Sequence, residues 1–311
     1  QTSHAGDGHD ESSFLHQTVY KFGQLSEKAR LLNDSAIQSC NPKNLDLQKN
    51  FHDLFDDWIA LSHLQFGPME MGTLRFEIGF WPDPRSKTQK AVNKVLVNSD
   101  FLLLQPKKFA KISVAARGLY ALEHTLFAKN FKSQDLAPFR CKLIQAITRD
   151  LTRTTEILFS NWQDFAQENK QIDLTRDYFK SLVSGLEMSA NHRLSVPLGT
   201  IEKPRPKLAE VWRSGRTTRH IGQSIVSLHE LSNYLSSAQP NIMNELNYWF
   251  LKAKNQAGAL NDPILFGVSD PVKRLEIEAL RATMQTILFL SQSQLGPALG
   301  VSAGFNSGDG D

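Results

Sequence analysis

Apolar residues three and four positions apart recur along most of the chain, and this spacing is typical of amphipathic α-helices. Alternating strand patterns bounded by tight turns are nearly absent. We therefore predict an all-α fold. The predicted helices cover residues 11–33, 44–64, 107–127, 138–168, 174–194, 217–235, 240–251 and 271–290.

Three long irregular segments interrupt the helical pattern, at residues 66–83, 196–216 and 295–311. Each carries glycine and proline, and loops of this length are frequently functional. The first two share a loose order of a Gly/Pro turn, a tryptophan and an arginine, which suggests an internal duplication. We therefore expect two helical bundle-like halves, residues 14–170 and 171–311, with the long loops at the seam between them.

The charge and the hydropathy of the chain argue against two classes of protein, nucleic-acid binders and proteins with membrane-spanning helices. The chain has 311 residues, is 41% apolar, and carries 35 Lys and Arg against 32 Asp and Glu, for a formal net charge of +3. Because the basic residues are scattered, the electrostatic footprint of a nucleic-acid binder is missing, and we expect no nucleic-acid partner. No apolar run approaches the roughly 18 residues of a membrane span. If the protein is attached to a membrane, we expect a lipid anchor.

The start of the chain and its two cysteines favour export. The first residue is Gln1, and a polar tract over residues 1–13, which we expect to be disordered, precedes the first periodic pattern. A removed signal peptide would explain this start, and a cloning boundary is the alternative. Cys40 and Cys141 would close a loop of about 100 residues if a disulfide joins them in an oxidising compartment. Two unrelated free thiols are the alternative.

The segment from Val114 to Phe127 places a carboxylate inside its own apolar stripe. At about 100° per residue, Leu119 and Phe127 flank Glu123 on the same helix face. A glutamate that faces the core must be paired, protonated or hydrated. Glu123 is therefore either the anchor of a polar site between packed helices or a member of a buried structural ion pair.

Polar side chains also occur in the apolar stripes of two other predicted helices. Ser62 and Gln65 project from the apolar face of the second helix, and Arg193 lies inside the stripe of the helix from residue 174. Because Glu123 and Arg193 have opposite charges and belong to different halves, we expect them to pair across the seam. The flanking loops carry three further candidate arginines: Arg75, Arg213 and Arg216. The alternative for each loop arginine is a solvated surface charge.

Tyr120, Glu123 and His124 lie within about 100° of one another, so one ligand or metal ion could touch more than one of them. His124 and Glu123 are therefore candidate metal ligands. The alternative for His124 is a partly exposed, hydrogen-bonded residue. The chain contains no His-Glu-x-x-His, paired Cys-x-x-Cys, Walker-type or Gly-x-Ser-x-Gly motif.

A set of short motifs follows in order along the chain. They are Trp58 with Phe66-Gly67-Pro68, Phe80-Trp81-Pro82-Asp83, Gly118-Leu119-Tyr120-Ala121-Leu122-Glu123, Pro197-Leu198-Gly199, Trp212-Arg213-Ser214-Gly215-Arg216, and Gly304-Phe305-Asn306 through Asp309-Gly310-Asp311. In combination they resemble the imelysin family, and they look most like its branch of periplasmic lipoproteins from Gram-negative bacteria. The resemblance spans nearly the whole chain.

The resemblance implies a periplasmic or outer-surface-anchored protein of two helical halves, with a site at their seam and a link to iron uptake or iron-regulated expression. Some family members have been called metallopeptidases. The family motif is Gly-x-His-x-x-Glu; Gly118 and Glu123 match its ends, while Tyr120 replaces the histidine. A phenol is a much poorer metal ligand than a neutral imidazole. A metal-dependent peptidase would therefore lack its principal ligand here.

We therefore expect a non-catalytic binding protein in which Glu123, Tyr120 and the arginines hold a small polar or anionic ligand or an iron species. Other components of iron uptake are expected partners. One alternative is a metal-dependent peptidase of the imelysin type, with iron or another divalent metal as cofactor. A second is a structural or interaction protein without a ligand, because a shared fold does not decide function.

Overall fold

The computed structural model describes residues 11–129, 136–170 and 172–301. Most of these residues are helical, and no β-strand occurs among them. The predicted all-α fold is confirmed. Within the same residues, no helix combines the length and the apolar character that a membrane crossing requires.

The helices before residue 170 pack around a long antiparallel pair. They are α1 (Glu11–Gln38), α2 (Leu45–Leu61), α3 (Leu74–Ile78), α4 (Lys87–Asn98), α5 (Pro106–Phe109), α6 (Gly118–Phe127) and α7 (Ala137–Glu168), with 3₁₀ turns at Gly67–Glu70, Phe101–Leu104 and Val114–Ala116. Helix α1 packs along α7 and α2, and α6 packs against α7 and α4. Helix α6, which carries Tyr120 and Glu123, is thus held by two helices of the same group.

The helices after residue 172 form a second packed group. They are α8 (Thr175–Glu187), α9 (Val196–Leu198), α10 (Thr217–Ser236), α11 (Pro240–Ala259), α12 (Pro271–Leu290) and α13 (Gly296–Ala298), with 3₁₀ turns at Pro206–Leu208, Trp212–Ser214 and Phe266–Ser269 and π-helical turns at Met188–Ser195 and Ser291–Leu295. Helix α10 packs against α8 and α11, and α12 packs against α11 and α8. Helix α2 of the first group also packs against α10, which joins the two groups. The boundary near residue 170 and the internal duplication stay predictions.

Several predicted boundaries are wrong. The single helix expected over residues 107–127 is broken into α5, the turn Val114–Ala116 and α6. Helix α4 was not predicted, and the helix expected over 174–194 becomes π-helical after Glu187. Of the predicted disordered tail, residues 1–10 lie outside the described residues, and α1 already begins at Glu11. Most of the last predicted loop, residues 302–311, also lies outside them.

A disulfide joins Cys40 to Cys141, whose Cα atoms are 5.0 Å apart. Cys40 follows the end of α1, and Cys141 lies in the first turns of α7. The disulfide predicted as one of two alternatives is confirmed in the structure. It ties together two helices that already pack along their length, and it closes a loop that spans 101 positions of the sequence.

The start of α6 is fixed by a buried ion-pair network. Arg117, the residue before the helix, donates hydrogen bonds to Glu77 at 2.7 Å and to Asp150 at 2.8 Å. Glu77 belongs to α3 and Asp150 to α7, so one guanidinium joins three elements. Such a network positions the first turn of α6 and hence Tyr120 and Glu123 further along it.

Gly118 follows Arg117 and has a positive φ of 73°, a conformation that residues with a Cβ adopt only with strain. An added Cβ atom would lie 2.4 Å from the carbonyl oxygens of Glu77 and Ile78. Both contacts are to main-chain atoms, which cannot rotate away. The first position of the Gly-x-Tyr-x-x-Glu motif therefore requires glycine for a structural reason.

We expect Gly118→Ala to lower the free energy of unfolding by about 2–4 kcal/mol, because strain and a main-chain clash add. Gly222→Ala is the matched control: it lies within α10, and an added Cβ would meet nothing within 4 Å. The control should be neutral or stabilising by up to about 1 kcal/mol, since alanine is the better helix former. Denaturant unfolding of both variants tests this, and equal effects at the two positions would contradict the account.

Candidate functional site

Two neighbouring cavities lie where the two groups of helices meet, and Trp81, Pro82 and Tyr120 line both. The ring of Trp81 is nearly parallel to that of Tyr120, with centroids 6.3 Å apart. We name the cavities after one residue of each. The Glu123 cavity, of about 110 Å³, is also lined by Glu123, His124, His192, Lys207, Trp212 and Arg213. The Arg75 cavity, of about 130 Å³, is also lined by Trp58, Ser62, His63, Gln65, Arg75 and Arg193.

Glu123 is only 3% exposed, as its position in the apolar stripe predicted. The backbone N–H of Ser214 donates to its Oε1 atom at 2.9 Å, and the backbone N–H of Arg213 also faces the carboxylate. These donors belong to the 3₁₀ turn Trp212–Ser214, which lies between two residues of positive φ, Val211 and Gly215. The turn from the second group thus presents its amides to a carboxylate of the first.

Burial raises the pKa of Glu123 to about 7. The positive charge of Arg213 and the hydrogen bonds from Ser214 and Arg213 oppose this rise. A carboxyl group with such a pKa exchanges between its neutral and ionised forms close to neutral pH. When neutral, Glu123 can donate a hydrogen bond to a ligand, and when ionised it can accept one.

Positive side chains lie on the same cavity as Glu123. Arg213 donates from Nη2 to Oε1 of Gln89 at 2.9 Å, and its guanidinium lies 4.6 Å from the ring centroid of Trp212. Burial lowers the pKa of Arg213, and the charge of Glu123 partly offsets this effect. Lys207 lines the same cavity. The arrangement is suited to a ligand that carries a negative group close to Arg213 and a polar group close to Glu123.

Tyr120 is bound to a glutamate that the sequence did not predict. Its hydroxyl donates to Oε1 of Glu210, and Nε of Arg193 donates to Oε2 of Glu210 at 2.7 Å. Burial acts to raise the pKa of Glu210, but Arg193 and His220 outweigh it and lower that pKa to about 2. The predicted pair of Arg193 with Glu123 is therefore wrong, because Arg193 pairs with Glu210 instead.

Glu210 lies in the irregular segment 196–216, where no helical period indicates which side chains face inward. The one signal in its surroundings is that apolar Ala209 and Val211 flank it. Both neighbours are buried. A charged residue between two apolar neighbours is therefore the sequence signal that could have indicated a buried glutamate at this position.

The remaining predicted site residues separate into two places. Ser62, Gln65, Arg75 and Arg193 line the Arg75 cavity. Arg216 lines neither of the two cavities and pairs with Asp56 of α2, with Nη2 and Oδ2 2.8 Å apart. The expected single cluster of arginines is therefore divided, and Arg216 contributes to the contact between α2 and the start of α10.

Among the described residues, the metal site predicted at Glu123 and His124 has no third His, Cys, Asp or Glu grouped with it. The hydroxyl of Tyr120 is engaged with Glu210, and Nε2 of His124 lies 3.1 Å from Oδ1 of Asn93 on α4. Burial lowers the pKa of His124 to about 4, so its imidazole is neutral at pH 7, which is the form that binds metals. Across residues 11–129, 136–170 and 172–301, no three His, Cys, Asp or Glu side chains are grouped as metal ligands.

Comparison with solved structures gives two relatives of the same fold. An imelysin-like protein from Psychrobacter arcticum 273-4 superposes with a TM-score of 0.80 at 18% identity, over 98% of this chain and 100% of that one. A protein from Parabacteroides distasonis ATCC 8503, described as an iron-regulated protein A precursor, superposes with a TM-score of 0.71 at 12% identity, over 94% and 97%. At these identities the likeness shows the fold.

No protein of known, curated function matches the sequence. The model of the imelysin family, peptidase family M75, matches residues 18–288, which is most of the chain and includes the Gly118 to Glu123 motif and both cavities. The chain belongs to the imelysin family.

Proposed function

We propose that this chain is a non-catalytic binding protein that holds a small polar anion in the Glu123 cavity and serves iron uptake or iron regulation. One observation carries the proposal: Glu123, whose pKa is about 7, and the cationic Arg213 line the same cavity. A buried carboxyl group that is not neutralised by an ion pair is typical of functional sites. One structural relative is described as an iron-regulated protein A precursor, and this description supports the proposed link to iron.

The chemistry of the cavity favours a hydroxycarboxylate. A carboxylate of the ligand would meet Arg213 and Lys207, and its hydroxyl would meet the carboxyl group of Glu123. The indole rings of Trp81 and Trp212 would cover the carbon skeleton. Hydroxycarboxylates also chelate ferric iron through oxygen atoms, so the same ligand class gives the proposed function its connection with iron.

Export from the cytoplasm forms part of this proposal. The disulfide between Cys40 and Cys141 supports it, because disulfides persist in oxidising compartments and are rare in the cytosol. A periplasmic or surface-anchored location would bring the protein into contact with other components of iron uptake. Those partners and the lipid anchor stay predictions.

A structural or interaction role is the second candidate, and the bonding of Glu210 favours it. Both oxygens of Glu210 are engaged by Tyr120 and Arg193, so this part of the seam needs no ligand to be satisfied. The two candidates give Arg213 different roles. It lines the Glu123 cavity, and no ion pair to another described residue makes it necessary for the fold. Substitution there separates recognition from stability.

We expect Arg213→Gln to weaken binding of malate at least tenfold, because a charge-assisted hydrogen bond is worth about 1.5–3 kcal/mol. Isothermal titration calorimetry with malate, with and without one equivalent of ferric iron, measures this. Arg176→Gln, at an exposed position of α8, is the matched control and should leave the affinity unchanged. Equal malate binding by the wild type and Arg213→Gln would favour the structural role.

We also expect Glu123 to make stability depend on pH. The folded pKa is about 7 and the ordinary value is 4.5, so between these values the folded state binds more protons than the unfolded state. The free energy of unfolding therefore falls as pH rises through this window, by about 3 kcal/mol in total. Glu123→Gln cannot titrate and should lose this contribution.

Urea unfolding of the wild type and Glu123→Gln at pH 5 and pH 8 tests this expectation. The difference in unfolding free energy, wild type minus variant, should fall by about 2.5 kcal/mol between the two pH values, because part of the total is already lost at pH 5. Taking the difference removes the contribution of histidines that titrate in the same range. A difference that stays constant with pH would show that burial does not raise the pKa of Glu123.

A further inference from the structure

The Arg75 cavity differs in charge from its neighbour. Asp83, Glu123 and Glu210 line the Glu123 cavity, whereas no acidic side chain is among the described residues that line the Arg75 cavity. Its charged residues are Arg75 and Arg193, and Arg193 is neutralised by Glu210. The cavity therefore presents one uncompensated positive charge to whatever enters it.

Arg75 has no ion-pair partner among the residues that the structure describes. Within the described chain no carboxylate lies within 4.0 Å of its guanidinium, and the side chain makes no hydrogen bond to described residues, although it lies 4.6 Å from the ring centroid of Phe76. Burial lowers its pKa, and the charge of Glu70 only partly offsets this without forming an ion pair. A half-buried guanidinium stacked on an aromatic ring, with its donors unused, is well suited to bind a carboxylate.

His63 adds an unsatisfied polar atom to the same cavity. The residue is 9% exposed, and its Nδ1 atom is buried without a hydrogen-bond partner. Burial is the main cause that lowers its pKa to about 3, and Lys21 and Arg193 lower it further, so the imidazole is neutral. Buried polar atoms in proteins are nearly always paired, so an orphaned one beside a cavity indicates a missing partner.

We propose that the Arg75 cavity is a second ligand site, separate from the Glu123 cavity, and that it binds a small carboxylate with an aromatic or apolar body. Arg75 would bind the carboxylate through its paired N–H groups, and His63 and Gln65 supply further polar contacts. The rings of Trp58, Phe76 and Trp81 would enclose the body. A volume of about 130 Å³ restricts the ligand to a small molecule.

Trp81, Pro82 and Tyr120 line both cavities, and we infer that they form the wall between the two sites. Tyr120 is held by its hydrogen bond to Glu210, and the Arg193 guanidinium lies 5.1 Å from the ring centroid of Trp81. The wall is thus fixed by side chains that the fold itself needs. The Arg75 site does not depend on the ligand proposed for Glu123, so either proposal can fail alone.

Calorimetric titration of the full chain with benzoate, and with benzamide as its uncharged isostere, tests the second site. The wild type should bind benzoate at least tenfold more tightly than benzamide, because only the carboxylate pairs with Arg75. Arg75→Gln should weaken benzoate at least tenfold, and Arg75→Lys should weaken it less, since the charge stays while the planar fork is lost. Arg213→Gln, in the other cavity, should leave benzoate binding unchanged.

Three outcomes would overturn the proposal. Benzoate and benzamide binding alike in the wild type would exclude recognition of charge, and this comparison needs no variant. Loss of benzoate binding in Arg213→Gln as well as in Arg75→Gln would indicate one shared site. Absence of any benzoate binding at millimolar concentration would exclude the ligand class. Malate binding that depends on Arg213 but not on Arg75 would leave the Glu123 proposal intact in each case.

Discussion

The seam between the two helical groups depends on the bonds that the buried carboxylate of Glu210 accepts. An ionised carboxylate without access to water is tolerated only when both oxygens are bonded, because desolvation would otherwise destabilise the fold by several kcal/mol. Tyr120 of α6 and Arg193 of the π-helical turn supply these bonds. Three elements from the two helical groups therefore meet at one charge. The wall between the two cavities follows from it, since Tyr120 is part of that wall and Arg193 lies against Trp81.

The tyrosine in the family motif changes what the site can do. A histidine at this position would offer a ring nitrogen to a metal ion, whereas the phenol of Tyr120 donates its proton to Glu210. Burial and the negative charge of Glu210 raise the pKa of Tyr120 well above its ordinary value, which keeps it a neutral donor. Tyr120 therefore offers no metal ligand beside Glu123, and the imidazoles that line its cavity are those of His124 and His192. The motif keeps its glycine and its glutamate, whereas a phenolic hydrogen-bond donor stands where the family motif has histidine.

The sequence predicted those features that follow from a regular spacing of apolar residues along a helix. Helical spacing predicted the all-α fold and the burial of Glu123, and cysteine usage indicated the disulfide, whereas Ser62 and Gln65 lie beyond the end of α2 at Leu61. It failed where the backbone leaves the helical period. The break before Gly118 depends on a positive φ, and Glu210 lies in a loop without periodicity. Arg193 was assigned to Glu123 because the partner that it uses could not be recognised, and local spacing carries no information on contacts between distant segments.

A double-mutant cycle of Tyr120→Phe and Glu210→Gln measures the central interaction most directly. The two single variants and the double variant are unfolded with urea, and the coupling free energy is taken from the cycle. Because Tyr120 donates to an ionised, buried acceptor, the account predicts a coupling of about 2 kcal/mol. A coupling below about 0.5 kcal/mol, as for sites without contact, would contradict the claim that this carboxylate holds the seam together.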